Sequence, residues 1–322
     1  MEISAIDAHL LDLPLAEPFA ASHGTTHSRT IAAIRLETTG SVGWGECAAL
    51  PAATYTAESA IGSYRLLTER VLPELLTGRW RSDDVAILAE RHGPAPMALA
   101  SVEMALLDAE LTEAGVPLAR WLGADRDRVP AGVSLGLDQP GAVVDKATAL
   151  VVEGYRRLKV KIQPGHDHQV LALLRSDPTI GSRPVQIHLD ANGAYRADDL
   201  DRMVDLAGAG ADAIEQPFAP EEVEAAVRLV ARLAEVAAAG AQVPTPVVAD
   251  EAVTTVADAV TLADRRALSA VSIKPARVGG LAPARRLHDL CRSRGLGATA
   301  GGMLETGLGR HALAALAALP GF

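Results

Sequence analysis

Arg157-Leu158-Lys159-Val160-Lys161-Ile162 decides the fold once it is read with four ionisable residues that follow it. Lys159 and Lys161 are two apart, so a strand projects both from one face while Val160 points the other way. Two ammonium groups on one face of an otherwise apolar run repel each other and resist burial. A strand serving only as core would not carry them. Asp190 then closes Val185-Gln186-Ile187-His188-Leu189, Glu215 follows Ala213-Ile214, Asp250 follows Val247-Val248-Ala249, and Lys274 follows Val271-Ser272-Ile273. From Lys161 onward the intervals are 29, 25, 35 and 24 residues, about the length of a strand, loop and helix in a crossover unit of roughly 30 residues. Five successive strand ends carrying Lys, Asp, Glu, Asp and Lys describe one site at the C-terminal mouth of a parallel barrel.

Outward from that stretch the alternation continues. Strands are expected near 131–135, 157–162, 184–189, 212–215, 246–250, 270–274 and 297–300. Helices are expected near 139–153, 166–176, 197–209, 220–239, 255–265, 280–293 and 306–318. A doubly wound open sheet would gather its site at one switch point instead of five consecutive strand ends. The first part of the chain reads differently. Residues 2–19 form a strand running into a loop, 22–27 a polar flexible segment, and 30–38 and 42–47 two more strands. Helical spacing follows over 57–76 and 83–114, broken by Gly78 and by His92-Gly93-Pro94. The expectation is an α+β capping domain over 1–127 and an α/β barrel domain over 128–322.

Composition narrows the function. The chain has 322 residues, 49% of them hydrophobic, which is ample for a core. A net charge of −10 argues against a general partner in nucleic acid or an anionic membrane. Cys47 and Cys291 are too few for a disulfide framework. No basic-then-apolar leader precedes the first strand and no apolar run is long enough to span a bilayer. The expected setting is cytoplasmic, with a small-molecule partner.

A lone carboxylate after a strand is usually a helix cap or a turn residue. Asp190, Glu215 and Asp250 at successive strand ends are harder to explain that way. Three convergent oxygen donors suit Mg²⁺, and soft zinc ligands are missing from these positions. Glu251 is a rival to Asp250, expected at the rim because strand neighbours face opposite ways. A cation and a second ammonium nearby would lower a lysine toward ~7–8, a usable general base. His166-Asp167-His168 reads as a solvated helix cap. Gly307-Leu308-Gly309-Arg310-His311-Ala312 mimics a dinucleotide fingerprint but belongs to the last crossover. Gly301-Gly302-Met303 opens that crossover with backbone N–H groups expected to hold a substrate carboxylate.

Several stretches carry a family likeness: Gly43-Trp44-Gly45-Glu46-Cys47, Gly154-Tyr155 through Lys159-Val160-Lys161, Asp190-Ala191-Asn192-Gly193, Ile214-Glu215-Gln216-Pro217, Ala249-Asp250-Glu251, Lys274-Pro275-Ala276-Arg277-Val278-Gly279-Gly280 and Gly301-Gly302-Met303-Leu304-Glu305-Thr306-Gly307. In these the chain resembles the enolase superfamily, specifically its muconate-lactonizing subgroup and the o-succinylbenzoate synthase / N-succinylamino acid racemase family. The resemblance implies a capping α+β domain over a modified (β/α)₇β TIM-like barrel, and a homo-oligomer. It implies Mg²⁺, with Mn²⁺ as a substitute, on Asp190, Glu215 and Asp250. Lys161 would be the base, Lys159 would tune it, and Lys274 would face the other side of a small carboxylate substrate. Asn192, Arg277, His23 and Tyr55 would join Gly301, Gly302 and Met303 in contacting substrate, with Arg277 at a position that members with racemase activity tend to fill with Arg.

The implied reaction is dehydration of 2-succinyl-6-hydroxy-2,4-cyclohexadiene-1-carboxylate to o-succinylbenzoate for menaquinone. N-succinylamino acid racemization is the first alternative, followed by dipeptide epimerase and cycloisomerase activities. Outside the family stand a Schiff-base aldolase using Lys274 and a catalytically silent binding protein. Two departures from the family pattern are visible. The Glu215–Asp250 interval is some ten residues longer than the family pattern leads one to expect, which a longer fourth helix would absorb. Family members also continue into an eighth strand and a tail, so the expectation is that the chain continues past Phe322 or that another segment covers the seam between 131–135 and 297–300.

Overall fold

The computed structural model describes residues 1–22, 24–241 and 243–322. The chain begins with a hairpin, β1 (Ile3–Ala21) against β2 (Gly24–Thr38), and β3 (Val42–Cys47) completes an antiparallel sheet of order β1-β2-β3. The loop expected after Pro14 is strand instead, as are Gly24–His27 of the segment expected to be flexible. Pro14 and Pro18 lack N–H donors, but β1 is an edge strand and tolerates them. The register slips between Pro14 and Phe19, which absorbs the residues between.

Helices α1 (Ala60–Leu66), α2 (Leu72–Leu75), α3 (Val85–His92), α4 (Pro96–Ala114) and α5 (Leu118–Leu122) follow. The first starts at Ala60 because the Ser59 side chain accepts from Gly62 N and caps it. α4 is buried on nearly every side, as a helix apolar all round must be. A Cβ at Gly43 or Gly45 would lie 1.9 Å from Ala105 O or Ser101 O. Only glycine lets β3 lie directly on the α4 backbone.

The second part is a sheet of seven parallel strands: β4 (Val133–Leu135), β5 (Arg157–Lys161), β6 (Gln186–Asp190), β7 (Ala213–Glu215), β8 (Val247–Ala249), β9 (Ala270–Ile273) and β10 (Gly297–Ala300), hydrogen-bonded in sequence order. The helices between them are α6 (Pro140–Glu153), α7 (His168–Ser176), α8 (Pro178–Gly181), α9 (Leu200–Gly208), α10 (Val223–Ala239), α11 (Val256–Asp264), α12 (Pro275–Val278), α13 (Leu281–Ser293) and α14 (Gly307–Ala317). At 17 residues α10 is the longest of these, which is where the long Glu215–Asp250 interval goes. The sheet curls as an open barrel. Among the described residues no strand pairs with the outer edge of β4 or β10, so the implied eighth strand has no counterpart there. No helix among them is long and apolar enough to cross a membrane.

Leu158, Val160, Ile187, Leu189 and Ile214 pack outward beneath the helices, while the small Ala213, Val248 and Ala270 fill the interior. Lys161, Asp190 and Glu215 lie in one paired row that continues to Val248 and Ala270. In an eight-stranded barrel of shear eight, the level around the mouth climbs about one residue per strand. Asp250 and Lys274, two and four residues beyond that row on their own chains, therefore reach the same height as Lys161.

Two carboxylates of the first part cap helices of the second. Glu103 on α4 accepts from Leu281 N and, at 2.8 Å, from Ala282 N, at the start of α13. Its partner position Gly280 offers no side-chain cap of its own. Glu46 on β3 accepts from Thr306 N at 2.9 Å and Gly309 N at 3.1 Å, at the start of α14. Burial pushes Glu103 up from its ordinary value of 4.5 to about 7, against the pull of its two N–H donors. A raised carboxyl stabilises the fold fully below its ordinary value, and that contribution is lost as pH rises through about 7. Glu103→Gln should flatten this decline, on the order of 3 kcal/mol at about 1.4 kcal/mol per unit. Melting temperatures from pH 4.5 to 7 read it directly; parallel slopes in the two proteins would contradict it.

Candidate active site

Lys159, on the inward face of β5, donates to Glu215 Oε1 at 2.5 Å and lies 3.1 Å from Asp190 Oδ2. Lys161 on the same face donates to Asp190 Oδ2 at 2.7 Å and to Asn192 Oδ1 at 2.5 Å. Across the mouth Lys274 donates to Asp250 Oδ2 at 2.8 Å. Arg277 donates to Asp250 Oδ1 from behind. The Tyr55 hydroxyl reaches in from the first part of the chain: it donates to Asp250 Oδ1 at 3.1 Å and accepts from Lys274 and Arg277 at 2.9 and 2.7 Å. Its ring also lies 4.7 Å from the Lys274 ammonium.

The backbone around these groups is held in place from below. Asn192, two residues past the end of β6, and Gln216, next after β7, take left-handed φ of 45° and 37°. Such residues cost roughly 1–3 kcal/mol and persist only where the surroundings fix them. Gln216 supplies that fixing: its Oε1 accepts from Asp250 N at 3.0 Å and Ala252 N at 3.1 Å, and its Nε2 donates to Phe218 O at 2.8 Å. Sequence reading missed this role, although Gln216 lies inside a matched stretch.

The charges are strongly coupled. Burial alone would lower the Lys159 and Lys274 ammoniums, but Glu215 with Asp190, and Asp250, outweigh it and hold both above the ordinary lysine value. The lowering expected of a lysine was that of one beside a divalent cation; paired with the carboxylates alone, these two are held up instead. Burial likewise disfavours the Asp190 carboxylate, yet Lys159 and Lys161 hold it below its usual range. Glu215 shares its one ammonium with Asp190, and there burial wins and the carboxyl is pushed up. Beneath the site His188, buried next to Arg157, is pushed down to about 4 and stays neutral.

The sequence-predicted residues separate into three groups. Lys159, Lys161, Lys274, Asp190, Glu215, Asp250, Asn192 and Tyr55 meet at the mouth. Arg277 does not line it. Its guanidinium is fully buried and is spent on Val253 O, Ser272 O, Asp250 and Tyr55, so it acts behind Asp250 and offers substrate no contact. The Gly301-Gly302-Met303 cradle is also largely spent: Gly301 N donates to Ile273 O and Met303 N to Glu305 Oε1, while the Met303 side chain is core. The last helix begins at Gly307, close to its expected start at 306, and does not reach back to these residues. His23 lies outside the described residues. Glu251 is not at the rim; its Oε1 accepts from Asn192 Nδ2 at 2.8 Å. Asp167 is buried, not solvated, and pairs with Arg202 and with Tyr195 Oη at 2.7 Å.

Asp190, Glu215 and Asp250 are hard oxygen donors, each 2% exposed or less, on one interior face at adjacent strand ends. That donor chemistry suits Mg²⁺. Their oxygens are turned to the ammoniums, and among the described residues no three His, Cys, Asp or Glu side chains are gathered closely enough to hold an ion. A divalent cation would compete with Lys159, Lys161 and Lys274 for the same oxygens, so the residues fit the ion by charge and donor type.

Comparison with known proteins agrees with this geometry. Residues 4–123 match the family model of the mandelate racemase / muconate lactonizing enzyme N-terminal domain, and residues 142–322 that of the enolase C-terminal domain-like family. The chain is 36% identical to an N-succinylamino acid racemase of Amycolatopsis sp and 33% identical to an o-succinylbenzoate synthase of Bacillus subtilis (strain 168), covering all of this chain and 84% of each relative. A dipeptide epimerase from Enterococcus faecalis V583, solved with Mg and the dipeptide L-Leu-L-Tyr, superposes with a TM-score of 0.87 at 26% identity, over all of this chain and 89% of that one. With its strand-end lysines and carboxylates in this order, the chain belongs to the enolase superfamily, in its muconate-lactonizing subgroup and the family of o-succinylbenzoate synthases and N-succinylamino acid racemases.

Proposed function

We propose that the chain removes a proton α to a carboxylate with Mg²⁺ bound, and that its reaction is dehydration of 2-succinyl-6-hydroxy-2,4-cyclohexadiene-1-carboxylate to o-succinylbenzoate. One observation carries the reading: Lys161 on β5 and Lys274 after β9 stand on either side of Asp190, Glu215 and Asp250. Those three carboxylates would hold the ion, whose positive charge offsets the negative charge that grows on the substrate carboxylate. Lys161 takes the α-proton onto its Nζ lone pair while the C–H electron pair stays with the substrate. As an ammonium, stabilised by Asp190 Oδ2 and Asn192 Oδ1, it returns that proton to the departing hydroxyl on the same face. Lys274, on the far side of Asp250, contributes a positive charge from the opposite side.

The same pair of lysines supports a second reading, racemization of N-succinylamino acids, in which each serves one enantiomer. The 36% identity to a racemase favours it. Turnover of both substrates with Mg²⁺ and with EDTA tests the proposal. Activity should vanish in EDTA and return with Mg²⁺, and Mg²⁺ should raise the melting temperature, because the ion binds only the folded site. Full turnover in EDTA, or a melt indifferent to Mg²⁺, would contradict it.

A further inference from the structure

Glu251 follows Asp250 in sequence but turns to the lysine on the other side of the mouth. Its Oε1 accepts from Asn192 Nδ2 at 2.8 Å, and the other end of that amide, Oδ1, faces Lys161 Nζ at 2.5 Å. Glu251 Oε2 is buried with no partner of its own. Three side chains from three strand ends thus form a chain that ends on the proposed base.

An amide has one accepting end and one donating end, and a half-turn of the side chain exchanges them. An ammonium only donates, so a charged Lys161 keeps Oδ1 toward itself. A neutral Lys161 carries a lone pair instead. The amide would then gain by turning Nδ2 toward that lone pair, which is the one that must take the substrate proton. With Glu251 in place, the same turn would set Oδ1 against a carboxylate oxygen, two acceptors in contact at a buried place.

We propose that Glu251 is a positioning residue that acts through Asn192 on Lys161. It locks the amide with its oxygen toward the lysine, so that the neutral amine keeps its lone pair free for substrate and the ammonium finds an acceptor waiting. The inference rests on the second reading above, racemization, in which Lys161 and Lys274 are acid/base groups on opposite faces. It adds a residue that serves one face only.

Face selectivity is therefore the test. Both enantiomers of an N-succinylamino acid are incubated in D₂O with the Mg²⁺-loaded protein, and deuterium entry at the α-carbon is followed for each. Glutamine has an accepting and a donating end, so Glu251→Gln lets the Asn192 amide sit either way. Exchange of the enantiomer facing Lys161 should fall about tenfold, the worth of one hydrogen bond of ~1.4 kcal/mol, while exchange at the Lys274 face stays within about twofold of wild type. In an Asn192→Ala background the same substitution should add nothing, because the link it acts through is gone. Equal losses on both faces would overturn the inference, as would effects of the two substitutions that simply multiply. Should Glu251→Gln fail to fold, Asn192→Ala alone must show the one-faced loss, and a two-faced loss there also overturns it. Wild-type protein that exchanges neither enantiomer would remove the racemase reading, and this inference with it, while the dehydration reading stands or falls by its own turnover assay.

Discussion

Lys161→Arg is expected to lower turnover by about 10²–10⁴-fold, the usual worth of a positioned general base. Arginine keeps the positive charge that pairs with Asp190 at 2.7 Å in the wild type, so the fold should hold. It cannot give up its proton near neutral pH and so cannot act as a base. Loss of both synthase and racemase activity with an unchanged melting temperature is the predicted pattern. A Lys161→Arg protein within a few-fold of wild-type turnover would move the base elsewhere.

Asp250→Asn should carry the largest cost to stability. Arg277 is fully buried and Lys274 nearly so, and Asp250 is the carboxylate that both of them touch. Removing one partner of a buried charged cluster typically costs about 3–5 kcal/mol, because the remaining charges stay buried without compensation. Burial pushes the Asp250 carboxyl up, but Lys274 and Arg277 outweigh it and hold it well below the usual carboxylate range. A depressed carboxyl contributes fully above its ordinary value of 3.8 and loses that only as pH falls through its lowered one. The whole penalty should therefore show at pH 7 as a melting temperature lower by several degrees, with Mg²⁺ no longer raising it. A variant that melts like wild type would mean that Arg277 and Lys274 find other acceptors.

The lysines and carboxylates were legible because each closes a short apolar run, where a charge needs a reason, and because strand period two puts Lys159 and Lys161 on one face. Their common height around the mouth follows from strand tilt once the pairing register is known. The residues that link distant segments were not legible. Glu103 and Glu46 cap helices that begin 178 and 260 residues further on, and nothing local in the sequence marks a cap supplied from another part of the chain. Arg277 was misplaced for a related reason. The family resemblance alone put it among the substrate contacts, but the short α12 turns its guanidinium back under Asp250. The hairpin was underestimated because Pro14 and Pro18 read as breakers, when an edge strand admits them. Glu251 was set at the rim by simple alternation, which fails where the strand has already ended at Ala249.

Deuterium entry at the α-carbon of both N-succinylamino acid enantiomers, compared between wild type and Lys274→Arg, tests the opposition of the two lysines most directly. The account predicts exchange from both enantiomers in the wild type. In Lys274→Arg it predicts exchange from the one facing Lys161 alone, since arginine there keeps its charge but offers no base. Exchange from both enantiomers in that variant would contradict the assignment of Lys274 to the second face.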